Sequence, residues 1–134
     1  MIVRADELLQ ARTVWWGHTV LLRLDGELDI ATAPLVDRTV TAVLAGRPDT
    51  VHLDLAGLGF CDMTGLHALR RLTDRIHATG TALHLAGMHP RLHYTLTLLQ
   101  GLSPWTPPVL RTDLPYGESV SEPADGAGRG FRQV

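Results

Sequence analysis

The sequence contains no lysine: its 12 Lys/Arg positions are all arginine. Such exclusive use of arginine is what the codon bias of a GC-rich genome would produce, and it says little about mechanism. Cys61 is the single cysteine, so no internal disulfide can form and a disulfide scaffold is excluded. A reducing compartment suits such a chain. No apolar stretch approaches the roughly 18 residues that a membrane-spanning helix needs, so no membrane insertion is expected. The opening MIVRADELLQARTV carries acids where a secretion signal would carry an apolar run, and the expected location is cytoplasmic. Charge of one sign is missing too. The net charge is -2, the isoelectric point is near 6.4, and the arginines are scattered, so the electrostatic footprint of a nucleic-acid binder is absent.

What is present suits one folded domain. Hydrophobic residues form 45% of the chain and charged residues 19%, too apolar for global disorder, and 134 residues leave no room for two complete domains. From Thr112 onward the composition turns to DLPYGESVSEPADGAGRGFRQV, rich in Gly, Pro, Ser and acids without an apolar face. The expected organisation is a domain over 1–111 and a disordered, flexible tail over 112–134.

Residues 13–24 hold two β-rich runs around Gly17-His18, with Val20, Leu22 and Leu24 alternating against Leu21 and Arg23, which predicts a hairpin. Trp15 and Trp16 then point to opposite faces, one of them into the core. Thr32 is a candidate N-cap of a helix that runs to Ala45, with Pro34 in its first turn and Val36, Val40, Val43 and Leu44 as its stripe. Val51, Leu53 and Leu55 alternate with His52 and Asp54, and the strand runs into GLGF. Leu66, Leu69, Leu72 and Ile76 recur at helical spacing up to Gly80, followed by the strand TALHLAG and a helix from His89-Pro90 to Gly101. Residues 1–12 suit either a strand, through MIV, or a helix, through ADELLQAR. A hairpin followed by alternating helices and strands predicts the α/β class: a mixed sheet of four to five strands packed by three to four helices.

Chemistry concentrates at Gly59-Phe60-Cys61-Asp62-Met63-Thr64-Gly65-Leu66, where a strand meets a helix. Thr64, or Asp62 before it, caps that helix in the structural reading. In the functional reading Thr64 is an exposed phosphoacceptor, because a phosphate there gains from backbone N–H groups and the helix dipole while repelling a docked partner. Arg70, Arg71 and Arg75 with His67 form a basic helix face beside it. That face is either simply solvated or, with the loop from Asp62 to Gly65, a partner contact.

These residues resemble the STAS domain of bacterial anti-sigma factor antagonists. GELD at Gly26 to Asp29, the strand VHLDLAGLGF, the loop DMTGL and the strand TALHLAG stand in that family's order, over residues 13–105 or so. The resemblance implies a partner switch in transcription regulation. The unphosphorylated antagonist binds an anti-sigma factor with kinase activity and frees a sigma factor, phosphorylation reverses the binding, and a phosphatase acting on phospho-Thr64 resets it. It further implies that Thr64 is the phosphoacceptor, that Asp62 and Asp29 shape the surface around it, and that Asp29, Asp62, Met63, Thr64, Gly65, His67 and Arg71 form the partner-binding set. Many members carry Ser preceded by Ser at this position, whereas this chain carries Thr64 preceded by Met63. No cofactor is implied, and the oligomeric state is left open, with a dimer as one option.

Two other functions are alternatives to this one. Within the same fold, a STAS subunit binds a transporter ATPase constitutively, for example in lipid transport, and the hydroxyl is a contact only. An enzyme would use Asp25, Glu27, Asp29 and Asp62 as acid/base or metal groups, yet no P-loop, HExxH or nucleophile and base pair accompanies them, so no catalytic residue is assigned. The seven histidines do not form a metal motif: His52 and His84 lie on separate strands, and His89 and His93 lack a marked third ligand. Cys61, beside Asp62, reads as a small buried residue whose thiolate the carboxylate disfavours.

Overall fold

The computed structural model describes residues 2–5, 8–99, 101, 105–111 and 132–133. Strands β1 (Ile2–Ala5), β2 (Leu9–Trp16) and β3 (Thr19–Leu28) precede helix α1 (Ala33–Ala45). Then come β4 (Thr50–Cys61), α2 (Met63–Ala78), β5 (Ala82–Met88), α3 (Pro90–Leu99) and the two-residue β6 (Arg132–Gln133). The sheet order is β1-β2-β3-β4-β5, with β6 also on β2. β1, β2 and β3 pair antiparallel, while β3, β4 and β5 pair parallel. This is the mixed α/β architecture that the sequence predicts. The tail expected over 112–134 lies outside the described residues, apart from Arg132 and Gln133.

Alternation along the strands decides which face carries the helices. Val20, Leu22 and Leu24 of β3 and Val51, Leu53 and Leu55 of β4 are fully buried in one core with Leu35, Val36, Val40 and Val43 of α1 and Leu66, Leu69, Leu72 and Ile76 of α2. The two parallel crossovers place α1 and α2 on that same face, as right-handed connections along one strand direction must. On the other face Val14 and Leu21 make a small second cluster with Trp16 and Ala86, while Trp15 enters the main core. His52 and His84 are register partners there, with ring centroids 5.7 Å apart.

Where the sequence left residues 1–12 between strand and helix, pairing decides. Leu9 to Arg12 are held between β1 and β3, so a helix-prone run is extended by its neighbours. The β5 edge is covered as well: the Leu85 N–H donates to the Val109 carbonyl at 2.9 Å and the Arg111 N–H to the Leu85 carbonyl at 2.9 Å. Trp105 is buried, and its Nε1 donates to the Thr73 hydroxyl at 3.0 Å, which ties this segment to α2.

Arg12 is an unexpected occupant of the second face. It is 3% exposed, and its Nε and Nη1 find no partner among the described residues. Burial lowers the pKa of its guanidinium, Asp25 opposes that, and Arg23 adds to it.

Candidate functional site

The sequence-predicted site lies where the parallel strands β3 and β4 end. The chain leaves β4 at Cys61 and enters α2 through Asp62, which has the extended backbone of an N-cap (φ -96°, ψ -170°). Its Oδ1 accepts the Gly65 N–H at 2.9 Å, satisfying one of the orphan donors of the first turn. Asp62 is therefore the cap. Thr64 sits one residue inside the helix, half-buried, and its hydroxyl forms no hydrogen bond among the described residues. Asp62→Ala should lower stability by about 1 kcal/mol and speed amide exchange in the first turn of α2, read by urea unfolding and hydrogen exchange. A change confined to distant amides would contradict this.

Asp29 reaches the same place by a different route. Its Oδ1 accepts the N–H groups of Ala31 at 2.9 Å and Thr32 at 3.1 Å, folding a tight loop before α1. Thr32, the candidate N-cap, does not cap: its backbone is already helical (φ -102°, ψ -15°), where an N-cap needs an extended residue. Its hydroxyl instead accepts the Asp29 N–H at 2.9 Å and donates to the Glu27 carbonyl at 2.9 Å. This loop is locked onto the entry to α2, because the Asp62 N–H donates to the Leu28 carbonyl at 3.2 Å. Gly65 is buried against the same residue. A Cβ there would overlap the Leu28 carbonyl and meet the Cys61 Sγ and Leu28 Cγ, both at 2.9 Å. The structure thus brings Asp29, Asp62, Thr64 and Gly65 to one junction.

Met63 is half-buried beside Thr64, and His67 is exposed on the next turn. Arg71 lies further along α2, where its Nη2 pairs with Asp37 Oδ2 of α1 at 3.1 Å. Arg75 donates to the Asp37 carbonyl at 3.0 Å and the Thr41 hydroxyl at 2.7 Å. Two members of the expected basic face therefore join α1 to α2. Sequence reasoning missed Ile30, 75% exposed at the tip of the Asp29 loop, and Phe60, 49% exposed just before the junction. Their signal was a large apolar residue inside a polar turn or at the strand end.

Asp29 and Asp62 meet at the junction, while Asp25 and Asp54 flank Arg23, whose Nη1 is 3.9 Å from Asp54 Oδ2. Asp25 accepts from Arg23 Nε at 3.0 and 3.1 Å, and Asp54 accepts the Ala56 N–H at 2.9 Å. Asp29 and Asp62 hold backbone groups, and Glu27 is exposed. Among the described residues no three His, Cys, Asp or Glu side chains gather as a metal site. His89 has a local role that the sequence did not show: its Nδ1 accepts the Arg91 N–H at 3.0 Å at the start of α3.

Cys61 is 5% exposed, and burial first, with Asp62 second, pushes its thiol up from 9.0 to about 12. The folded state thus keeps a proton that the unfolded chain releases above its own thiol pKa. Stability should be unaffected below about pH 8 and fall between about pH 9 and 12, by up to about 1.4 kcal/mol per pH unit. Cys61→Ala should flatten that slope in urea melts, and an identical slope in the variant would refute the assignment.

The arrangement is a small α/β domain in which the β4-to-α2 junction carries the Thr64 hydroxyl at the head of a helix. The STAS domain family model matches residues 11–105, and the chain belongs to that family. Among solved structures it is similar to an anti-sigma factor antagonist from Mycobacterium paratuberculosis, with 21% identity, 83% of this chain and 92% of that chain covered, and a TM-score of 0.63. It is also similar to the anti-sigma factor antagonist SpoIIAA in its unphosphorylated form (24% identity, 71% and 84% covered, TM-score 0.55). The phosphorylated form of SpoIIAA, a Bacillus cell fate determinant, aligns at 24% identity over 71% and 87% of the chains, with a TM-score of 0.51. At these identities the likeness is one of fold. No curated protein sequence matched the chain. No helix of the described residues is long and apolar enough to cross a membrane.

Proposed function

We propose that this chain is an anti-sigma factor antagonist whose binding to an anti-sigma factor with kinase activity is switched by phosphorylation of Thr64. The observation that carries the reading is the division of labour at the head of α2. Asp62 holds the cap, so among the described residues the Thr64 hydroxyl has no structural bond to give up on modification. The phosphate adds roughly -1.5 to -2 charge at a helix N-terminus, which the dipole accommodates, so the fold survives while the docking surface changes sign. Likeness to an antagonist solved in unphosphorylated and phosphorylated forms supports the same reading.

In this scheme the chain is a kinase substrate and a binding protein in the bacterial cytoplasm, not an enzyme. Asp29 and Asp62 fix the junction, the buried Gly65 lets α2 approach Leu28, and Met63, His67 and Arg71 complete the contact surface. The partner binds the unmodified chain and releases its sigma factor, and a phosphatase restores Thr64. A pull-down from native lysate with wild-type, Thr64→Ala and Thr64→Glu baits tests this. Capture of an ATP-binding anti-sigma factor by wild type and Thr64→Ala, with loss by Thr64→Glu, is the expected result. A transporter ATPase retained by all three baits would overturn the switch and make the junction a constitutive contact.

A further inference from the structure

Next to the Thr64 turn an open groove of about 580 Å³ runs between the end of β4 and α3. Phe60, Cys61 and Asp62 line one side, and Arg91, Tyr94 and Thr95 the other. Two features characterise it. Phe60 and Tyr94 hold large rings 49% and 65% exposed on either side of it, and the buried Cys61 lies within its walls. Arg91 is exposed, and no carboxylate among the described residues lies within ion-pair distance of it. Aromatic rings and arginine are the side chains that anchor protein interfaces.

We infer that this groove receives an apolar side chain of the anti-sigma factor, and that Arg91 receives a carboxylate flanking it. The inference rests on the antagonist reading, and it specifies the chemistry that the partner must present. Charge is what selects the occupant. Arg91 calls for an acid, and Asp62 belongs both to the groove and to the cap of the helix that carries Thr64. With Thr64 unmodified, the arginine attracts an acidic, apolar segment. With Thr64 phosphorylated, the same segment meets roughly -1.5 to -2 charge beside Asp62 and is repelled. One groove thereby gives the switch its sign.

The test uses the anti-sigma factor recovered by the wild-type bait, purified, with affinities for the full chain measured by calorimetry. Tyr94→Ala and Arg91→Glu should each weaken binding about 30-fold or more, the size of an interface anchor. Arg91→Lys should stay within about 5-fold, since it keeps the charge, and Arg38→Glu on the outer side of α1 should stay within about 2-fold. Circular dichroism confirms that each variant is folded. If Thr64→Glu abolishes binding while Tyr94→Ala and Arg91→Glu bind as wild type, the groove assignment fails and the switch stands. If Thr64→Glu binds as wild type, the switch fails whatever the groove variants do. Self-association of the free chain that Tyr94→Ala breaks, with anti-sigma binding unchanged, would give the groove to a second copy and overturn the inference.

Discussion

Gly26→Ala is expected to cost about 3 kcal/mol or more, a large share of the 5–15 kcal/mol that hold a domain of this size folded. Gly26 has φ +115°, which L side chains rarely adopt, and a Cβ there would overlap the Leu8 carbonyl oxygen and stand 3.0 Å from its carbon. The wall is backbone and cannot rotate away, because the Glu27 N–H donates to that same Leu8 carbonyl at 2.8 Å. The register between β3 and β4 also shifts between Gly26 and Glu27, so the residue sits where the strand is re-aimed toward Asp29. Gly17 and Gly80 provide the control. Both have positive φ (60° and 77°) but nothing within 4 Å of an added Cβ among the described residues, so alanine there should cost only about 1–2 kcal/mol. Urea unfolding of the three variants separates conformation from space. Equal losses at all three would mean that the Leu8 contact contributes nothing.

Thr64→Glu should weaken binding of the anti-sigma factor by about 100-fold or more, since like charge at a docked surface costs several kcal/mol. The same substitution should leave the midpoint of thermal unfolding unchanged or slightly raised, because an acid in the first turn of a helix is favourable by about 0.3–1 kcal/mol. That pairing matters: loss of binding with retained stability identifies repulsion at the surface. Loss of both would mean that Thr64 is structural, against a hydroxyl that forms no hydrogen bond among the described residues. Thr64→Ala should bind within about 3-fold of wild type, as expected for a side chain at the energetically neutral part of an interface.

Most of the frame was legible because burial follows period. Val20, Leu22 and Leu24, then Val51, Leu53 and Leu55, alternate in the sequence and all face the helices, and the stripes of α1 and α2 complete that core. The junction itself was half legible. A carboxylate and a hydroxyl two residues apart at a helix entrance both qualify as caps, and only the extended backbone of Asp62 and its bond to Gly65 assign the role. Thr32 misled for the mirror reason, since its backbone is already helical and its hydroxyl serves the Asp29 loop. The pairing of Arg71 with Asp37 was not legible, because charge on a helix face carries no record of its neighbours and Asp37 sits 34 positions away on α1. Trp105 anchoring to Thr73 and the groove beside α3 depend on contacts between distant segments, which no local pattern encodes.

The central claim is that the Thr64 hydroxyl is the acceptor, and phosphate transfer measures it most directly. Wild type and Thr64→Ala are each incubated with the recovered anti-sigma factor and ATP, and the modified residue is located by tandem mass spectrometry. One phosphate is expected, on Thr64, with none on the alanine variant and with dissociation of the complex as transfer proceeds. Phosphate on another residue, or equal incorporation into Thr64→Ala, would contradict it.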